Sequence, residues 1–321
     1  MPAESALITA EERQVRDVAS IYRPIQSLME DLEERIELTV EGAPEFMGEA
    51  LAHTLKSGGK RLRPAVTLLA ATFGRDTPKG SLPMATAIEL LHTATLVHDD
   101  TIDSALLRRG KLTANRLWGS RQALLIGDYL CAASAHITAE TGNVQVMKLY
   151  SGMLADICEG AMVEYLAGYP HSRRDYFRTV DRKTASLFAA AAESGALMSK
   201  ASPATVRALR SYGHNLGMSF QVVDDIVDVS SDLSRGIFNL PAIVFLELPE
   251  NSWVRDMLAR NEAEGARAIM EEVPRSAVIE DCYSVARRFS VRACHSISKL
   301  PRNGAYQSLV DLAWFLIERE T

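Results

Sequence analysis

Two stretches of the chain hold carboxylates in the same arrangement. In "LLHTATLVHDDTID", residues 90–103, Asp99, Asp100 and Asp103 close a long apolar run. In "GMSFQVVDDIVDVS", residues 217–230, Asp224, Asp225 and Asp228 do the same. A helix turns about 100° per residue, so the outer two carboxylates of each set lie about 40° apart on one face. Like charges at i, i+4 destabilise a helix, and acidic groups at a helix C-terminus oppose its dipole. Two copies of that conflict ask for a cation. Carboxylate oxygens suit a hard ion, and Mg2+ is the natural choice. Magnesium keeps some of its water and shares its shell with substrate phosphates, so two facing clusters would form a diphosphate site.

A diphosphate also needs cationic side chains. "GGKRLRP" holds Lys60, Arg61 and Arg63 beside two glycines that allow close backbone approach. "LLRRGKLT" places Arg108 and Arg109 just after the first acidic cluster, and "DRKTASLF" offers Lys183 and Thr184 at an expected helix start. The order acidic cluster, Arg-Arg, Lys-Thr, acidic cluster is a stronger signal than any of its parts.

The elements that must position these groups are helices. Apolar residues recur at three- and four-residue steps in "SIYRPIQSLMEDLEERIELTV", and "LPMATAIELLHTATLVHDD" is apolar nearly all round. "NRLWGSRQALLIGDYLCAASAHITAE", "VMKLYSGMLADICEGAMVEYLAGY", "LFAAAAESGALMSKA" and "VRALRSYGHNLGMSFQVVDDIVDVS" continue the pattern, followed by a run from about Trp253 to Glu320. No regular β alternation stands between Asn-Gly or Asp-Gly turns. The expectation is one all-α domain over residues 21–321, of ten or more helices, after an arm formed by residues 1–20.

Composition bounds the rest. The 321 residues are 47% hydrophobic, enough for a large core, and 35 basic against 41 acidic residues give a net charge of −6. That balance argues against nucleic acid as a partner. Four scattered cysteines without a CxxC pair argue against structural zinc and a disulfide framework. The N-terminus lacks a signal-peptide core and no apolar run reaches a membrane span, so a cytoplasmic protein is expected.

With these motifs in view, the chain resembles the all-trans polyprenyl diphosphate synthases, the head-to-tail prenyltransferases. The resemblance runs from about Leu51 to Leu246 and rests on "GGKRLRP", "LLHTATLVHDDTID", "RRGKLTAN", "GDYL", "RKTASLF" and "GMSFQVVDDIVD". It implies the isoprenoid-synthase helical bundle around a central apolar cavity, as a homodimer. It implies Asp99, Asp100 and Asp103, with Asp224, Asp225 and Asp228, as the set holding three Mg2+ ions with bound diphosphate. Arg108, Lys183, Thr184 and Gln221 would contact an allylic diphosphate. Lys60, Arg63, His92 and Arg109 would hold isopentenyl diphosphate, and Asp99, Asp103, Lys183 and Asp224 would carry catalysis. The implied chemistry is ionisation, condensation and loss of a proton to the released diphosphate, without a protein base.

Small residues one turn before Asp99, Ala94 and Thr95, leave room for a growing tail, and neither Leu91 nor Ile88 makes an aromatic floor. The expected product is hexaprenyl or longer, with geranylgeranyl or farnesyl diphosphate as the shorter alternatives. A class I terpene cyclase, a non-catalytic subunit of a heteromeric synthase and a helical scaffold are the rivals. The first would not repeat DDxxD, the second often loses one acidic motif, and the third leaves both clusters unexplained.

Two departures from the family pattern stand out. A longer polar loop with Gly-Lys is expected before a DLxxG segment, yet Asp228 is followed by only Val229, Ser230 and Ser231 before "DLSRG". Either the loop is lost or its residues are missing from the sequence as read, and the second is the expectation here, since polar loops at open sites are often mobile. In "RGIFNLP", Ile237 and Asn239 stand where many relatives have Lys and Thr, and Arg235 is a conjectural substitute for the missing cation.

Overall fold

The computed structural model describes residues 17–56, 58–167, 172–234 and 237–318. Those residues are overwhelmingly helical, as the apolar periodicity requires. The helix carrying the first motif spans Leu82–Ile102, and the helix carrying the second spans Pro203–Val227. Both sit at the centre of the bundle. The first packs along Ser120–Glu140, and the second between Ser186–Met198 and Val278–Ser296.

Close packing is set by small residues. A Cβ on Gly195 would stand 2.0 Å from the Thr67 carbonyl oxygen, and one on Gly213 would stand 2.3 Å from that of Phe188. Leu68, Leu69, Ile88, Leu91, Phe188 and Tyr212 fill the core between these helices, each fully buried. Tyr212 still satisfies its hydroxyl, which donates to the Leu309 carbonyl at 2.7 Å.

The expected helices are found, with four differences. Gly119, at φ 85, splits the third expected segment into Ala114–Trp118 and Ser120–Glu140. Pro24, in a single tight turn, separates Val18–Tyr22 from Gln26–Glu41. Lys183 and Thr184 do not begin a helix. They lie in a π-helical turn, Asp181–Ala185, that joins Arg173–Val180 to Ser186–Met198. And the all-α chain carries one small hairpin, in which Leu107–Arg108 pairs antiparallel with Lys111–Leu112.

The arm expected over residues 1–20 begins to fold earlier than residue 21. Asp17 caps the Val18–Tyr22 helix by accepting from the Ser20 amide, and Ile21 is buried against the core. Residues 1–16 lie outside the described residues. After the second motif the chain continues without interruption into a short helix, Val229–Ser234, whose Asp232 amide donates to the Asp228 carbonyl at 2.8 Å. The full 321-residue sequence passes directly from Asp228 into this segment, so the longer loop is absent here, which corrects the expectation of missing residues. Arg235 lies outside the described residues. No helix among them is long and apolar enough to cross a membrane.

Candidate active site

Each acidic motif divides its labour in the same way. Asp100 is buried, and Arg108 grips it with two parallel hydrogen bonds of 2.7 Å from Nε and Nη2. Asp225 is buried as well. It accepts from the Tyr176 hydroxyl at 2.6 Å and from Gln221 Nε2 at 2.8 Å, and burial pushes its carboxyl up to about 7. The middle carboxylate of each motif thus spends both oxygens on protein donors. The outer carboxylates differ: Asp99 and Asp224 are half-buried, while Asp103 and Asp228 are exposed.

Asp99 faces Lys183 across the site. The Lys183 ammonium stands 3.6 Å from an Asp99 oxygen and 2.5 Å from Glu164 on the Val144–Ala167 helix. Burial pulls Lys183 the other way, but Asp99 and Glu164 together lift its pKa above the ordinary value. Burial raises Asp99, with Lys183 opposing and Glu164 and Asp103 adding to the rise. The approach of Lys183 depends on Gly160, where a Cβ would stand 3.0 Å from the Lys183 amide nitrogen. Next to it, the Thr184 hydroxyl donates to Gln221 Oε1 at 2.8 Å. The Asp99–Lys183 pair and the Thr184–Gln221–Asp225 hydrogen bonds therefore stand side by side, joined through the adjacent residues Lys183 and Thr184.

The second cationic group forms where the GGKR turn meets the hairpin. Gly58 and Gly59 take φ 85 and 143, and Arg109 donates from Nη1 to the Gly58 carbonyl. A Cβ on Gly59 would stand 2.6 Å from that guanidinium nitrogen and would displace it, and the φ of 143 favours glycine here. Arg109, Arg108, His92, Asp100 and Gly58 line one pocket. Arg63 is buried with its guanidinium 4.3 Å from the Phe188 ring centre and 5.5 Å from that of Phe220. Burial pulls it down to about 10, opposed by the charges of Glu89 and Asp224, so it stays protonated near neutrality. Lys60 lies 4.8 Å above the Phe315 ring.

His92 lies 3.0 Å from Arg63 Nη1 through its Nε2. Arginine only donates, so Nε2 accepts and the ring proton sits on Nδ1. Burial first, then Arg63, Arg109, Arg108 and Arg61, hold the imidazole well below its usual pKa. The charge of Asp224 acts on Arg63 and on Arg109, which ties the second acidic motif to this basic pocket.

The structure thus brings the Asp99–Lys183 pair beside Thr184, Gln221 and Asp225. It brings Gly58, His92, Arg108 and Arg109 into one basic pocket, with Arg63 buried behind His92. Among the described residues no group of three or more His, Cys, Asp or Glu side chains stands ready to hold an ion unaided. The donor set still fits magnesium, because the accessible carboxylates are outer-motif oxygens whose shell phosphate oxygens would complete. Sequence reasoning missed Glu164, Glu89, Tyr176 and Asn239. Glu89 left a signal, being the sole acid inside "LPMATAIELLHTA". Asn239, noted only as a departure, is buried and donates to the Asp225 carbonyl and to Asp232 Oδ2, both at 2.9 Å.

Fold and site together define a diphosphate-handling helical bundle with two acidic motifs and two cationic groups. Residues 44–272 match the family model described as polyprenyl synthetase, and the chain belongs to that family. It is 35% identical to heptaprenyl diphosphate synthase component 2 of Geobacillus stearothermophilus, over 94% of this chain and 98% of that protein. It is 33% identical to the all-trans-nonaprenyl-diphosphate synthase (geranyl-diphosphate specific) of Rhodobacter capsulatus, over 83% and 87%. A polyprenyl synthase from Caulobacter crescentus CB15, solved with calcium and isoprenyl diphosphate, superposes with a TM-score of 0.88 at 29% identity. That match covers 96% of this chain and all of the other.

Proposed function

We propose that the protein condenses isopentenyl diphosphate with an allylic diphosphate to build a long-chain all-trans polyprenyl diphosphate. The observation that carries this reading is the set of cations around the two acidic motifs: Lys183 beside Asp99, and Arg108 and Arg109 with His92 in the adjoining pocket. Lys183, Arg108, Thr184 and Gln221 take the allylic diphosphate beside Asp99. Lys60, Arg63, His92 and Arg109 take that of isopentenyl diphosphate. Asp99 and Asp103, with Asp224 and Asp228, would hold three Mg2+ ions, while Asp100 and Asp225 brace them from behind. Bound magnesium would supply the Lewis-acid pull on the departing diphosphate.

The reaction breaks the allylic C1–O bond, and the electron pair leaves with the diphosphate. The double bond of isopentenyl diphosphate, held close by the basic pocket, attacks the resulting cation to form a carbon–carbon bond. A proton then leaves to the released diphosphate, and a new double bond remains. Apolar walls such as Leu96 and Val97 keep water from the cation. The working form is a homodimer in the cytoplasm.

A second reading rests on the short segment after Asp228 together with the relative that is named as a component 2. In that reading the chain catalyses as one half of a heteromeric synthase. One experiment separates them. Purified protein is incubated with Mg2+, isopentenyl diphosphate and farnesyl diphosphate, and the dephosphorylated products are sized, with Asp99→Ala as control. A ladder ending at hexaprenyl or beyond, lost in the control, supports the first reading. A ladder ending at geranylgeranyl keeps the reaction and rejects the long chain. No extension by the chain alone, restored by a co-purifying partner, supports the second.

A further inference from the structure

Arg61 is the member of "GGKRLRP" that the substrate assignments leave over, and it is the most constrained of the group. Its backbone is left-handed, φ 48 and ψ 39, directly before the Leu62–Ala71 helix. Such a conformation is costly for a residue with a Cβ and persists only where its surroundings over-determine it. The surroundings here are a clamp. Arg61 Nε and Nη2 donate to the two oxygens of Glu33 at 2.8 and 3.2 Å. Its Nη1 donates to Glu89 Oε1 at 2.6 Å, and Nη2 also reaches the Leu55 carbonyl at 2.9 Å.

The two acids are not equivalent. The Glu33 side chain is 52% exposed, whereas that of Glu89 is 7% exposed inside the central helix. Glu89 lies one turn before His92 on that helix, and its charge also bears on Arg63 and Arg109. It is therefore the buried counter-charge of a cluster of three arginines. The turn it anchors carries Lys60 on one side of Arg61 and Arg63 on the other, and the Tyr22 hydroxyl pins the Lys60 carbonyl at 2.6 Å. No substrate contact is needed for Glu89 to matter.

We propose that Glu89, acting through Arg61, is a positioning residue for the second diphosphate subsite: it fixes the left-handed turn that aims Lys60 and Arg63. The proposal rests on the two-diphosphate reading above and names which of the two substrates depends on the clamp. A general packing role would disturb both substrates alike. A clamp on this turn disturbs one.

The test varies isopentenyl and farnesyl diphosphate separately for the wild type and for Glu89→Gln, which keeps the shape and an acceptor but removes the charge. The expected result is a KM for isopentenyl diphosphate raised about tenfold, with the KM for farnesyl diphosphate unchanged. Equal shifts in both constants, or none, overturn the proposal. Should Glu89→Gln fail to fold, Glu33→Gln loosens the exposed arm of the same clamp. It is expected to give a smaller shift, about threefold, confined to the same substrate. Wild-type protein that extends no primer would count against the function proposed above, not against the clamp. Calorimetric titration of isopentenyl diphosphate alone then reads the clamp directly: weaker binding to the variant supports it, and equal binding overturns it.

Discussion

Arg108 holds Asp100 with two hydrogen bonds of 2.7 Å, and Tyr176 with Gln221 does the same service for Asp225 at the other motif. The two motifs have the same DDxxD spacing and the same internal arrangement, in which a buried middle carboxylate supports two accessible neighbours. The roles of adjacent aspartates therefore separate on substitution.

Asp99→Asn removes an accessible oxygen and its attraction for Lys183. It is expected to abolish turnover while leaving thermal unfolding nearly unchanged. Asp100→Asn leaves the Arg108 fork half-satisfied at a buried site, which costs roughly 1–3 kcal/mol. That variant is expected to lose both stability and activity. Paired melting curves and product assays on the two variants check the distinction, and equal loss of stability in both would reject it.

His92 supplies a pH dependence whose sign is fixed by its surroundings. Its folded pKa lies well below the ordinary 6.5, because burial and four arginines disfavour the charged ring. The unfolded imidazole takes up a proton as pH falls through 6.5, and the folded one resists. The stabilising contribution is complete above 6.5 and is lost on acidification, with a slope of at most about 1.4 kcal/mol per pH unit. His92→Gln retains an acceptor for Arg63 and removes the titration. Urea unfolding at pH 7.5 and 5.5 should show a smaller acid loss in the variant than in the wild type.

How much of this was readable beforehand depended on whether the signal was local. The helices follow from periodicity, and the acidic motifs follow from spacing along a single helix. Two of the three basic groups stood beside glycines. What escaped was relational. Lys183 and Thr184 were expected at a helix start, because a π-helical turn inside a continuous helix has no compositional mark. Glu164 gains its meaning only from Lys183, 19 residues on, and Tyr176 from Asp225, 49 residues on. The segment after Asp228 was judged against a pattern from relatives that this chain does not follow.

Glycine positions offer a graded test of the packing. A Cβ on Gly195 meets the Thr67 backbone at 2.0 Å, and neither helix can yield locally. Gly195→Ala is expected to cost about 2 kcal/mol or more. A Cβ on Gly127 meets the His98 ring at 2.2 Å, and that side chain can swing aside. Gly127→Ala should cost less in stability yet lower activity, since His98 adjoins Asp99 on the first-motif helix. Chemical denaturation ranks the two, and the reverse order would show that the helix contact at Thr67 is more pliable than its geometry indicates.

Thr95 offers a test of how tail length is set. Of the four residues expected to border the growing chain, Ala94, Leu91 and Ile88 are at most 1% exposed and are closed into the core. Thr95 alone is half-buried, on the helix face that also carries His92 and Asp99, with its hydroxyl turned back onto the His92 carbonyl at 2.8 Å. A tail leaving along this helix would meet this side chain first. Thr95→Phe puts an aromatic ring one turn from Asp99, in the path of the product but away from both diphosphates. The expected outcome is a ladder that stops several isoprene units earlier, with the rate of the first condensation preserved. Ala94→Phe, directed into the sealed core, should instead destabilise the fold by about 1–3 kcal/mol. Chromatographic sizing of products from the two variants decides the path, and an unchanged ladder from Thr95→Phe would place the tail against a different helix.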